Sequence, residues 1–302
     1  MLYIIARQNT LGCICMYGRP RFGPAGVPPT FKVMGAKLFD VPRLLREEGL
    51  DAFEYQAVRW GDKPQIKQAD AEKFGIEAKR NDVLVSLHAS YFINLCGAKE
   101  VLEASKKRLI ACVLASKWMG SRITVFHVGY YGEKPPKQAL EECVKTLDEV
   151  IAELRSLGVK DVWLGPETMG KISQFGSLEE ILSICERVEQ TKPVIDWAHL
   201  HARSLGRFKT VDDFREVLVE VENRLGGDVV KNLHCHFTKI EFTKSGEKRH
   251  HILDEKLYGP DFEKLAEAII EFKLAPVIIS ESPILDLDAI KMKNILNSLL
   301  KR

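Results

Sequence analysis

Val83-Leu-Val-Ser-Leu-His-Ala89 and Arg122-Ile-Thr-Val-Phe-His-Val128 are short apolar runs, and between them lies a helical stretch, Ala98–Met119, stopped by Gly120. Short apolar runs bounded by breakers read as buried parallel strands. Parallel strands need a crossover, and the stretch between them is long enough to be a helical one. The unit is β-α-β.

The same alternation continues in both directions. Upstream, a first strand is expected somewhere in Met16–Gly26, then a helix around Val41–Glu48 ended by Gly49, the strand Asp51–Gln56 and a helix near Ala69–Arg80. Downstream come the helix Lys137–Leu157, the strand Asp161–Glu167 and the helix Ser177–Glu189, where Ser177 and Glu180 form a capping box. The strands Pro193–Ala198, Lys231–Phe237 and Pro276–Ser282 alternate with the helices Val211–Leu225, Asp261–Phe272 and Asp286–Leu300. Eight β-α units predict an α/β fold, a single (β/α)8 TIM barrel with its functional groups at the C-terminal rim of the strands. No G-x-G-x-x-G follows the early strands, which argues against a dinucleotide-binding sheet.

Composition agrees. The 302 residues are 45% hydrophobic and 28% charged, which excludes a disordered or fibrous chain. The net charge of +2 excludes a polycationic coat protein but allows a local basic groove. No run of about 18 apolar residues marks a membrane helix. Residues 1–15 lack periodicity and the pattern of a signal peptide; they are expected to be an extension, with the barrel domain spanning 16–302. The 7 Cys are odd in number and three of them, Cys112, Cys143 and Cys185, lie in amphipathic runs. Cys13 and Cys15 form C-x-C with no matching pair. This usage points to a reduced, cytoplasmic protein.

Metal-capable residues gather at the expected strand ends. His88 ends the third strand, His127 the fourth, Glu167 the fifth, Asp196 and His199 the sixth, and Glu281 the eighth. His234 and His236 share one face of the seventh, and His250 and His251 follow in its loop. One such histidine would be a satisfied polar residue; several beside carboxylates call for a cation. Imidazole and carboxylate without thiolate suit Zn²⁺, Mn²⁺ or Fe²⁺. A carboxylate bridging two ions would point to phosphate-ester hydrolysis.

The motifs His88-Ala-Ser-Tyr-Phe-Ile-Asn-Leu95, Phe126-His-Val-Gly129, Pro166-Glu-Thr168, Ile195-Asp-Trp-Ala-His199, Leu233-His234, Arg249-His-His251 and Ser280-Glu-Ser-Pro283 resemble, in order, those of the endonuclease IV family. The resemblance runs from about Asp51 to the C-terminus; its most specific piece is H-x-S-Y-x-I-N-L. It implies a trinuclear-zinc barrel that cleaves DNA 5′ to abasic sites, with damaged double-stranded DNA as partner. By that resemblance His88, His127 and Glu167 would hold one zinc. Glu167, the catalytic carboxylate, would bridge to a second completed by Asp196, His234 and Glu281. His199 and His250 would hold the third. The family has an Asp two residues before the histidine matching His250, and here that position is Lys248. Two zinc sites are therefore expected and the third is not, unless Glu247 substitutes.

For substrate binding, Tyr91 matches a family residue that reaches into the damaged duplex; the alternative is a tyrosine packed under a loop. Arg59-Trp60 could enter DNA or form a solvated loop. Lys239, Lys244, Lys248 and Arg249 put cations where a phosphate backbone would pass, and Lys248 could touch the scissile phosphate. His236 is a second partner or a ligand, and His201 is structural or solvent-facing. A monomer is expected. Two other readings remain: a sugar isomerase or epimerase using Glu167, Asp196, His234 and Glu281 around one ion, and a non-catalytic nucleic-acid-binding barrel.

Overall fold

A computed structural model describes residues 18–302. The expected extension, residues 1–15, and Met16 lie outside the described residues. Eight parallel strands carry the fold: β1 (Arg21–Pro24), β2 (Ala52–Gln56), β3 (Leu84–His88), β4 (Ile123–Phe126), β5 (Trp163–Pro166), β6 (Val194–Asp196), β7 (His234–Phe237) and β8 (Val277–Ser280). They pair as two four-stranded sheets, β2-β3-β4-β5 and β6-β7-β8-β1. Isolated parallel bridges join the sheets at both seams, Ala25 with Glu54 at one, and Leu164 with Thr191 and Glu167 with Val194 at the other. The circle closes into a barrel, as the eightfold alternation predicts.

The seam between β1 and β2 is held from below by Asp51. Its buried carboxylate accepts from the Phe22 N–H at 2.9 Å and pairs with Arg19 and Arg46. Taking an ionised carboxylate out of water is costly unless such partners compensate.

Side-chain parity sorts the strands into an inside and an outside. Phe53, Leu87, Cys235, Phe237 and Ile278 face outward into the large apolar shell beneath the helices. Ala52, Val277 and Ile279 face inward with Leu84 and Ala25. The alternate residues of β2 and β3, Glu54 and Ser86, also face inward, so the barrel interior changes from apolar to polar along its axis.

The shell helices are Val41–Glu47, Gln68–Arg80, Lys99–Trp118, Pro136–Ser156, Leu178–Arg187, Val211–Leu225, Phe262–Glu271 and Asp286–Leu299, one for each strand. The Ser177–Glu180 capping box is present: Ser177 Oγ accepts from the Glu180 N–H while Glu180 accepts from the Ser177 N–H at 2.9 Å. Cys112 and Cys143 are core residues, and Cys185 is half-buried. No helix among the described residues is long and apolar enough to cross a membrane.

The structure corrects two local expectations. The run Pro193–Ala198 is a strand only to Asp196. Trp197–Arg203 is a short helix, its N–H groups met by Asp196, whose Oδ1 accepts from the His199 N–H at 2.7 Å. Aspartate favours this N-cap position because it satisfies an orphan helix donor. The segment carrying His250 and His251 is no loop: Lys239–Thr243 and Gly246–His251 form an antiparallel hairpin.

Candidate metal centre

Among the described residues, three groups of ligand-capable atoms meet at the C-terminal rim of the barrel, and a fourth, Glu54 with His234 and His236, lies beneath them. His88, His127 and Glu167 form the first; Glu167, Asp196, His236 and Glu281 the second; His199, His250 and Glu281 the third. Glu167 and Glu281 each belong to two groups. In the first, His88 Nε2 and His127 Nε2 both lie 3.2 Å from Glu167 Oε2. In the second, His236 Nδ1 lies 3.0 Å from Glu167 Oε1 and 3.3 Å from Glu281 Oε1. The two oxygens of Glu167 thus face two different groups.

The rings are held from behind. His88 Nδ1 meets Ala89 O at 2.9 Å, His199 Nδ1 meets Thr168 O at 2.8 Å and His250 Nδ1 meets Glu281 O at 3.2 Å. A neutral ring that donates Nδ1–H to a carbonyl keeps a lone pair on Nε2. His88 turns Nε2 to Glu167, while His199 and His250 have rim carboxylates near both nitrogens: Glu247 on the Nε2 side, Glu167 and Asp196 beside His199 Nδ1, and Glu281 beside His250 Nδ1.

The residue in the second group is His236, where the sequence expectation named His234. Strand register explains the correction. β7 begins at His234, which pairs with Val194 and Val277 near the strand starts; His236 pairs with Asp196 at the end of β6. His234 therefore lies two residues deeper, where its Nε2 meets Glu54 Oε2 at 3.1 Å. The H-x-H spacing was the available signal, since both rings share a face.

Lys248 is not at the rim. The hairpin register runs Glu241 opposite Arg249 and Phe242 opposite Glu247, so Lys248 is an inserted bulge residue. A bulge shifts parity by one and puts Glu247 on the face of His250. Glu247 Oε2 lies 3.5 Å from His199 Nε2, and Glu247 Oε1 lies 4.0 Å from His250 Nε2. Lys248 is exposed and paired with Glu241 at 2.6 Å. Close backbone contact seats the strand: the Glu247 N–H donates to Gly170 O, and a Cβ on Gly170 would lie 2.7 Å from Glu247 Cβ, one on Gly246 2.1 Å from Gly170 O.

The neighbouring predicted contacts divide. The Tyr91 ring is half exposed and stacks on His127 with centroids 5.0 Å apart at 18°. Its N–H donates to Val58 O at 2.9 Å, which brings exposed Arg59 to the same rim. Trp60 does not join it; it is buried against Tyr55. Lys239 is also buried, on Asp261 and Glu255 O, while Lys244 and Arg249 stay exposed. His201 is buried in the short helix. A cleft of about 300 Å³ opens over the rim between Tyr91, Tyr130 and the hairpin.

The electrostatics show a surplus of anions. Burial opposes charge on His199, yet Asp196, Glu247, Glu167 and Glu281 push its pKa up to about 9. Burial, with the charges of Glu167 and Asp196, holds Glu281 above the usual carboxylate range. Asp196 Oδ2 is buried with no hydrogen-bond partner. An orphaned anionic oxygen facing imidazole nitrogens and carboxylates fits a divalent cation.

A closed β/α barrel with such a rim defines a class, and the chain belongs to the xylose isomerase-like TIM barrel family, whose match spans residues 42–296. Within it, a Methanocaldococcus jannaschii protein described as uncharacterized is 32% identical over 92% of this chain and 97% of its own. A probable endonuclease 4 of Sulfurihydrogenibium sp. is 25% identical over 78% of this chain and 85% of its own. The crystal structure of endonuclease IV from Thermus thermophilus has a TM-score of 0.68 at 19% identity, covering 93% of this chain and 99% of that one. A D-tagatose 3-epimerase-like protein gives 0.64 at 18% identity, over 87% and 95%. At these identities the solved structures establish the shared fold.

Proposed function

We propose that the protein is a metal-dependent phosphodiesterase of damaged DNA that cleaves 5′ to abasic sites. One observation carries the reading: Glu167 turns one oxygen to His88 and His127 and the other to His236, so the rim is built for more than one cation. The probable endonuclease 4 relatives support it.

His88, His127 and Glu167 would hold one ion, Glu167, Asp196, His236 and Glu281 a second, and His199, His250 and Glu281, with Glu247 beside the two rings, a third. Zn²⁺ suits this donor set, and Mn²⁺ could replace it. Such ions would supply Lewis-acid activation of water and of a phosphate diester. The chain's own residues do the rest. Ala89 O, Thr168 O and Glu281 O hold the rings, Glu167 keeps its charge between two groups, and Tyr91 and Arg59 line the approach to the cleft. Tyr91 offers a face for an unstacked base or sugar, and Arg59 a charge for the backbone.

A sugar isomerase or epimerase is the second reading. It is favoured by the likeness to a D-tagatose 3-epimerase-like protein and needs only Glu167, Asp196, His236 and Glu281. It assigns no task to His88, His127, His199 or Glu247. Incubation of the zinc-loaded protein with a duplex carrying one abasic site, read on a denaturing gel beside a ketohexose epimerisation assay, separates the two. Cleavage 5′ to the site supports the nuclease; epimerisation with intact DNA overturns it.

A further inference from the structure

Beneath the rim, the barrel interior contains a carboxylate that no reading of the motifs singled out. β2 reads Ala52-Phe-Glu-Tyr-Gln56, and parity turns Glu54 inward. It is fully buried at the level where the interior turns from apolar to polar. Burying a charge so deeply costs several kcal/mol unless its oxygens are filled. They are filled: Ser86 Oγ donates to Glu54 Oε2 at 2.9 Å, His234 Nε2 lies at 3.1 Å from the same oxygen, and Gln56 Nε2 donates to Oε1 at 3.3 Å. The remaining partner is His236, whose Nε2 lies 3.1 Å from Glu54 Oε1.

His236 is turned the opposite way from the other rings. His88, His199 and His250 set Nδ1 against a backbone carbonyl; His236 instead sets Nε2 against the Glu54 carboxylate and turns Nδ1 to Glu167, Glu281 and Asp196. Nδ1 lies 3.0 Å from Glu167 Oε1, and with the proton kept on Nε2 by Glu54 the ring would offer a cation in that group its Nδ1 lone pair.

We propose that Glu54 is the positioning residue of the centre. It fixes the ring orientation and tautomer of His236 so that Nδ1 faces the group formed with Glu167, Asp196 and Glu281, and His234 and Ser86 in turn hold Glu54. A carboxylate behind a ligand histidine also raises the basicity of the ring. The inference rests on the metal-centre reading above and goes beyond the ligands themselves.

The test compares the full-length wild type with Glu54→Gln, which preserves shape but replaces an acceptor oxygen with an N–H donor. Zn²⁺ content is counted by mass spectrometry and affinity measured by competition with a chelator. One ion should bind about 10- to 100-fold more weakly in Glu54→Gln, the others unchanged. Unaltered affinity for every ion in a folded Glu54→Gln overturns the inference while leaving the metal centre standing. A wild type that binds no divalent ion overturns both. Should Glu54→Gln fail to fold, ¹⁵N spectra of histidine-labelled, zinc-loaded wild type decide. A protonated Nε2 on His236 supports the assignment, and a protonated Nδ1 refutes it.

Discussion

Glu247 Oε2 stands 3.5 Å from His199 Nε2, reached from a hairpin strand with one residue too many. The bulge at Lys248 turns Glu247 toward the ring and sends the lysine to Glu241, the arrangement that a carboxylate ligand beside His199 would need. Glu247→Ala should therefore lower the zinc content of the purified protein by about one ion per chain. Lys248→Ala should leave the count unchanged. A fall in content with Lys248→Ala and none with Glu247→Ala would show that the strand register is otherwise.

Glu167 spans two ligand groups, so Glu167→Gln should cost more than one ion. An amide has no charge to offset the cations and only one acceptor oxygen. Turnover on abasic-site DNA should fall by about a thousandfold or more, a barrier increase of about 4 kcal/mol. Zinc analysis and single-turnover cleavage on the same sample check this; near-normal rates with full metal content would remove Glu167 from the chemistry.

Tyr91 and Arg59 approach the cleft from adjacent loops and should act differently on DNA. Tyr91→Ala should weaken binding to an abasic duplex by about tenfold, the scale of one lost stacking contact, with little change in salt dependence. Arg59→Ala should reduce the slope of log affinity against log salt by about one phosphate contact. Fluorescence anisotropy at several ionic strengths separates the two effects.

Glu48 meets Asp286 at the head of the last helix. Burial, then the Asp286 charge, then their hydrogen bond raise the Glu48 pKa to about 7. The folded state keeps this proton where the unfolded chain has released it, so stability is full below the unfolded pKa and declines as pH rises toward 7. Much of Glu48 is in solvent, which screens the effect. Thermal melting should show a shallow decline through that window, and Glu48→Gln should flatten it.

The barrel was legible because its signals are repeated: short apolar runs bounded by breakers, and helical runs stopped at Gly49 and Gly120. What escaped was local. Trp197-Ala-His-Leu-His-Ala-Arg203 spans only two turns and is almost wholly buried, so no polar face marks it as a helix. A bulge has no periodic signature, and Lys248 therefore stood in the place that Glu247 fills. The choice of His234 over His236 followed the Leu233-His234 motif; which of the two rings reaches the rim depends on where β7 begins and ends, and that is poorly legible in a short strand. Glu54 was overlooked although a lone carboxylate amid apolar strand residues is itself a signal, since buried charges persist only with partners.

The two seams place a demand on the centre that its chemistry alone does not reveal. Glu54 and Glu167 are themselves the seam residues, each bridged by backbone to the opposite half-sheet. The His236 ring reaches from one to the other, Nε2 to Glu54 and Nδ1 to Glu167. His88, His127 and Glu167 come from one half, and Asp196, His199, His236, His250 and Glu281 from the other. His236 is thus a crossbar, and cations lodged around it would rivet two half-barrels together. If ions load there, their coordination free energy would also be closure free energy. A chelator would then act as a mechanical release on the Glu167 side of the crossbar, leaving the direct His236–Glu54 contact in place.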